Sequence, residues 1–176
     1  MNLAQVAPDW LLVVLALILA AAAAEDAIRL RISNLTCLGV LVTALIAMGF
    51  AGFPLALWQN AVVFAVILAL GTPLFAAGKI GGGDVKLLAV LGLWVDFSGA
   101  LWFLAAVFLS GGVLALIFIV FAFFRGSRRS RDKRAKAGIP YGIAIVAGAL
   151  FVFAAQLQEA PGPAPKPNPL AIRPLN

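Results

Sequence analysis

The sequence predicts an all-α fold, a polytopic membrane helix bundle of about six transmembrane helices. Composition is the first reason: 64% of the 176 residues are hydrophobic, 11% are charged and the mean hydropathy is +1.08, which excludes a soluble domain of this length. The second is that charges, Gly and Pro divide the chain into apolar runs, most of them near the length that crosses a bilayer. The third is the placing of basic residues. Eleven of the thirteen Lys and Arg lie in three clusters, at Arg29 and Arg31, at Lys79 and Lys86, and within residues 125–136.

Six apolar runs can be marked, at residues 7–24, 35–52, 55–77, 85–95, 98–124 and 139–157. No basic residue precedes the first, unlike a cleaved signal peptide, so it reads as the first of several spans. The turn at Gly52-Phe53-Pro54 parts the second from the third. The fourth is too short, because about 20 residues at 1.5 Å each are needed to cover a hydrocarbon core of about 30 Å. Its start is therefore expected inside the bilayer, in a place buried by protein or reached by water. The fifth follows Asp96-Phe97-Ser98-Gly99, and the sixth follows the basic stretch.

Two spans separate each basic cluster from the next, so all three fall on one face, the cytoplasmic one by the positive-inside rule. Both termini are then outside, and Trp10, Trp58, Trp94 and Trp102 are expected as interfacial anchors on that outer side. Residues 1–159 read as one membrane-embedded core. Residues 160–176 are proline-rich and read as an extended or disordered tail. The stretch 125–136 reads as an orientation determinant, or as a dock for anionic lipid or an acidic partner.

The candidate chemistry is narrow. His is absent, Cys37 is the single cysteine, and no metal-binding cluster or Ser or Cys nucleophile arrangement is recognisable. Carboxylates remain. An ionisable residue against hydrocarbon is costly and is read as functional by default. Asp26 closes the first span and Asp84 opens the fourth, on the same expected face. Each also has a plain reading, Asp26 as a loop residue balancing Arg29 and Arg31, Asp84 as a helix cap. Gly81, Gly82 and Gly83 remove side-chain bulk before Asp84, so that another backbone, such as a substrate strand, can approach. Asp9, Asp96, Asp132 and Glu159 read as solvated, and Glu25 as a neighbour of the first site.

At these residues the chain resembles the type IV prepilin peptidases, membrane aspartyl proteases with a Gly-x-Gly-Asp motif. Gly81-Gly82-Gly83-Asp84 matches that motif, and Val85-Lys86-Leu87 continues it. The family's other acid heads a stretch ending in Ile-Pro-Asn, which Asp26 to Asn34 fits with Ile32 and Asn34 in register and Ser33 in place of the proline. A third likeness is Gly138-Ile139-Pro140-Tyr141-Gly142-Ile143-Ala144. The resemblance is closest to the short, protease-only members serving Flp-type, tight-adherence pili.

The resemblance implies an aspartyl endopeptidase of the bacterial inner membrane that cuts the basic leader from prepilin and pseudopilin-like substrates, at the cytoplasmic face. It implies catalysis by Asp26 and Asp84, with Gly81, Gly82, Gly83, Lys86, Arg31, Asn34, Pro140 and Tyr141 shaping the site or binding substrate. No metal or organic cofactor and no nucleic acid is expected. Other readings of the same acids are a small proton-linked transporter or channel, and an inactive secretion-assembly subunit. The glycines lead to a further expectation, that Gly83→Val narrows a substrate groove and impairs cleavage more than Ala89→Val.

Overall fold

The computed structural model describes residues 1–124 and 141–159. Among them are six α-helices and no strand: α1 (Asp9–Arg29), α2 (Asn34–Phe50), α3 (Trp58–Ala76), α4 (Gly82–Gly92), α5 (Phe97–Phe124) and α6 (Tyr141–Glu159), with short 3-10 turns at Leu3–Gln5 and Leu55–Leu57. The chain is thus an all-α membrane helix bundle. Four stretches, Asp9–Arg29, Leu55–Ala76, Phe97–Phe121 and Tyr141–Gln158, are long and apolar enough to cross a membrane. The other two helices are shorter, α2 with 17 residues and α4 with 11. Residues 125–136, Pro140 and the tail 160–176 lie outside the described residues.

The short helix is in the middle. α4 packs against α2, α3 and α6, and α6 in turn packs against α1 and α5. Leu87, Ala89 and Leu91 of α4 are wholly buried. Small residues set the close approaches: a Cβ on Gly92 would lie 2.9 Å from Ile67 Cδ1, and one on Gly148 would lie 2.7 Å from the Val107 backbone nitrogen. Such small residues let helix backbones meet where lipid gives no hydrophobic drive for helices to associate. α5 is the outlier, apolar along its length and largely exposed from Phe108 to Phe124.

Opposite ends of the bundle carry different chemistry. At one end Leu3 N–H donates to Trp94 C=O, Asn60 Nδ2 donates to the carbonyls of Met1 and Leu93, and Gln5 donates to Gln156 C=O. Trp94 corrects the expectation of four anchors. Trp10, Trp58 and Trp102 are exposed, but Trp94 is wholly buried, with its ring 5.9 Å from that of Phe153. The reason is that α4 ends inside the bundle, so a tryptophan just past its end meets protein.

Asp96 is also less solvated than its place in a turn suggests. Its Oδ1 accepts from Gly99 N–H at 2.9 Å, capping α5, and its Oδ2 lies 3.2 Å from the Met1 ammonium. Partial burial pushes its carboxyl up, but these donors outweigh that and hold it below the usual carboxylate range. Asp96→Ala should lower stability by about 1 kcal/mol, read as a lower melting temperature, and leave peptide cleavage at the parent rate.

Candidate active site

The far end of the bundle gathers the C-terminal end of α1 and the N-terminal ends of α2, α4 and α6. Asp26 is there because of periodicity. Leu11, Leu15, Leu19 and Ala22 form the buried stripe of α1, and Asp26 is its next member, 3% exposed. The helix runs past the apolar segment to Arg29 and stops where Leu30 turns left-handed, φ 51° and ψ 35°, with Leu30 N–H donating to Asp26 C=O. That backbone conformation is strained for Leu.

The Asp26 carboxylate docks on the first turn of α6. Ile143 N–H donates to Oδ2 at 3.2 Å, and the N–H of Gly142 faces it as well. A helix N-terminus with free N–H groups is a ready seat for an anion. The seat exists because residue 142 has no side chain. A Cβ there would lie 2.8 Å from Oδ2 and 2.9 Å from Cγ of Asp26, and 2.8 Å from Ile32 Cδ1.

Asp84 stands in the first turn of α4, partly exposed, after the extended N-cap Gly81. Its carboxylate folds back over Gly81, where a Cβ would come within 2.7 Å of Oδ2, and meets the Gly81 N–H. The N-cap of α4 is thus Gly81, and Asp84 stands three residues inside it. Asp84 also lies near enough to Asp26 for the charge of one to act on the other.

The glycines before Asp84 correct one expectation. A Cβ on Gly83 would meet the Ile32 carbonyl oxygen at 2.8 Å and the Ile32 nitrogen at 3.2 Å, and one on Gly82 would meet the Phe75 ring at 3.0 Å. The backbone approaching Gly83 belongs to the α1–α2 turn, so among the described residues the space at Gly83 is taken by the chain's own Ile32. Ala89 is wholly buried, so Ala89→Val is no neutral control for Gly83→Val.

Of the remaining candidates, Lys86 Nζ donates to Asn34 Oδ1 at 2.8 Å, an exposed link from α4 to α2. Arg31 is exposed, and among the described residues no ion pair joins it or Lys86 to either aspartate. Tyr141, the first residue of α6, is half-exposed beside Gly142. Four residues at this end escaped the sequence reading of the site: Gly142 and Ile143, which hold Asp26, Ile32, which spaces α4 from α6, and Cys37, whose thiol lies 3.8 Å from Gly83 C=O. Gly142 and Ile143 belong to the third likeness, which signalled their neighbourhood but not their contact. No group of His, Cys, Asp and Glu able to hold a metal ion occurs among the described residues.

An apolar groove of about 420 Å³ opens beside the site, between α5 and α6. Ser110, Leu114, Ala147 and Phe151 line it, and Ile143, the residue that donates to Asp26, forms part of its wall.

The model of the type IV leader peptidase family matches residues 13–120, which include both aspartates. No curated protein and no solved structure matches the chain.

Proposed function

The chain belongs to the type IV leader peptidase family and is a protease, and from that premise we propose that it is a prepilin peptidase of the aspartic type, with Asp26 and Asp84 as its catalytic pair. The observation that carries the reading is the gathering of two carboxylates from different helices at one end of the bundle, each beside a helix terminus, with Asp84 near enough to feel the charge of Asp26. Two carboxylates this placed share a proton, because both cannot easily be charged together. The ionised member draws a proton from a water that attacks the scissile carbonyl. The protonated member donates its proton to the carbonyl oxygen, and the proton taken from the water then passes from the first member to the leaving amine. Membership of a protease family leaves the transporter or channel reading of the same aspartates without support.

In this reading the protein spans the bacterial inner membrane several times, with the aspartates at the cytoplasmic face and the basic stretch 125–136 on the same side, against anionic lipid. The substrate is a prepilin of the Flp type, a basic leader followed by an apolar helix. That helix lies in the groove between α5 and α6, because the groove is apolar and its wall runs through Ile143 to Asp26. Ala147→Trp, which fills the groove, should raise KM about tenfold with little change in kcat. The activity itself is tested by incubating the purified protein with a prepilin-like peptide and locating the cut by mass spectrometry. A single cut between leader and apolar helix is expected; an intact peptide would overturn the reading.

A further inference from the structure

Beside Asp26 stands an acid that the proposed chemistry does not use. Glu25 Oε2 accepts two hydrogen bonds, from Ser33 N–H at 2.9 Å and from the Thr36 hydroxyl at 2.9 Å. Ser33 then caps α2, its Oγ accepting from Thr36 N–H at 3.1 Å and lying 2.8 Å from Thr36 Oγ1. The last turn of α1 is thereby tied to the first turn of α2 across the strained Leu30. Within this closed turn sits Ile32. Its backbone fills the space above Gly83 at the start of α4, and its side chain fills the space above Gly142 at the start of α6. One residue thus separates the helix that carries Asp84 from the helix end that seats Asp26, and the residue after it is held by Glu25.

Ser33 has φ −73° and ψ 150°. A proline ring imposes nearly the same φ but offers no N–H. A Ser held by Glu25 and a covalently fixed proline are therefore two ways to hold one backbone geometry, and this chain has the first where its resemblance leads one to expect the second.

We propose that Glu25 is a positioning residue, which as a double acceptor holds the turn at residues 30–33 so that Ile32 sets the spacing of Asp26 and Asp84. The role asks for an acceptor and not for an acid. It rests on the peptidase reading wherever activity is the readout, so the test carries a second readout.

Full-length Glu25→Ala, Glu25→Gln and Glu25→Ala/Ser33→Pro are compared with the parent, by kcat and KM on the prepilin-like peptide and by amide hydrogen exchange over residues 30–36 and 82–86. Glu25→Gln should keep kcat within about twofold, since an amide oxygen accepts the same two bonds. Glu25→Ala should lower kcat about tenfold to a hundredfold at nearly constant KM, the mark of misplaced groups, and speed exchange in both segments. The added proline should recover at least about threefold in kcat and part of the protection, the Thr36 cap being lost with the Ser33 hydroxyl. Parent-like behaviour of Glu25→Ala overturns the proposal. So does a Glu25→Gln as impaired as Glu25→Ala, which would make Glu25 an acid in the reaction, and so does a double variant no better than Glu25→Ala. If the parent leaves the peptide uncut, the peptidase reading fails, and exchange alone decides the role of Glu25.

Discussion

Asp26→Asn and Asp84→Asn should each reduce cleavage of a prepilin-like peptide by about a thousandfold or more, while the protein inserts and melts like the parent. The size follows from the chemistry: removing a general acid or base costs about 100- to 10,000-fold, and here either loss also breaks the shared proton. Stability should hold because Asn keeps the size of Asp and an oxygen for the contacts seen at both sites, Ile143 N–H on residue 26 and Gly81 N–H on residue 84. Asp9→Asn, at an exposed position in the first turn of α1, is the control and should cleave normally. Mass-spectrometric product counts over time make the comparison. Near-normal turnover in either variant would remove that residue from the catalytic pair.

The second large effect needs only a methyl group. Gly142→Ala puts a carbon within 3 Å of two atoms of the Asp26 carboxyl group and of the Ile32 side chain, so the carboxylate has to leave its seat on α6. A displacement of about 1 Å at a reacting group can cost about a hundredfold, and kcat should fall by that order with the peptide still bound. Gly112→Ala is the matched control. Nothing lies within 4 Å of a Cβ there, so it should be neutral in the same assay. Equal activity of the two variants would mean that the α6 seat does not position Asp26 for catalysis.

The sequence made Asp26 and Asp84 legible because charge in an apolar chain is conspicuous whatever the packing. The shortness of the fourth helix was legible too, since length is counted along the chain. What that helix touches was not. Trp94 looks like an anchor when judged by distance from a span end, and only the burial of α4 among α2, α3 and α6 makes it a core residue. The three glycines before Asp84 announce a close approach, but a single chain does not say which backbone approaches. It is the chain's own Ile32. Gly142 was hidden for the same reason, because its missing side chain matters only once α6 has docked on a residue 116 positions earlier, Asp26.

The 28 residues of α5 bear on the membrane itself. At 1.5 Å per residue the helix is about 42 Å long, against a hydrocarbon core of about 30 Å. Standing upright it overshoots by about 12 Å, and a hydrophobic mismatch of that size is absorbed by tilting the helix or thickening the lipid around it. The mismatch belongs to α5, because α4, whose 11 residues cover only about 16 Å, is packed among α2, α3 and α6 and meets protein where a lipid-facing helix would meet acyl chains. The lipid is therefore disturbed unevenly around the molecule, most of all along α5. Acyl-chain length becomes a variable of this enzyme alongside peptide sequence.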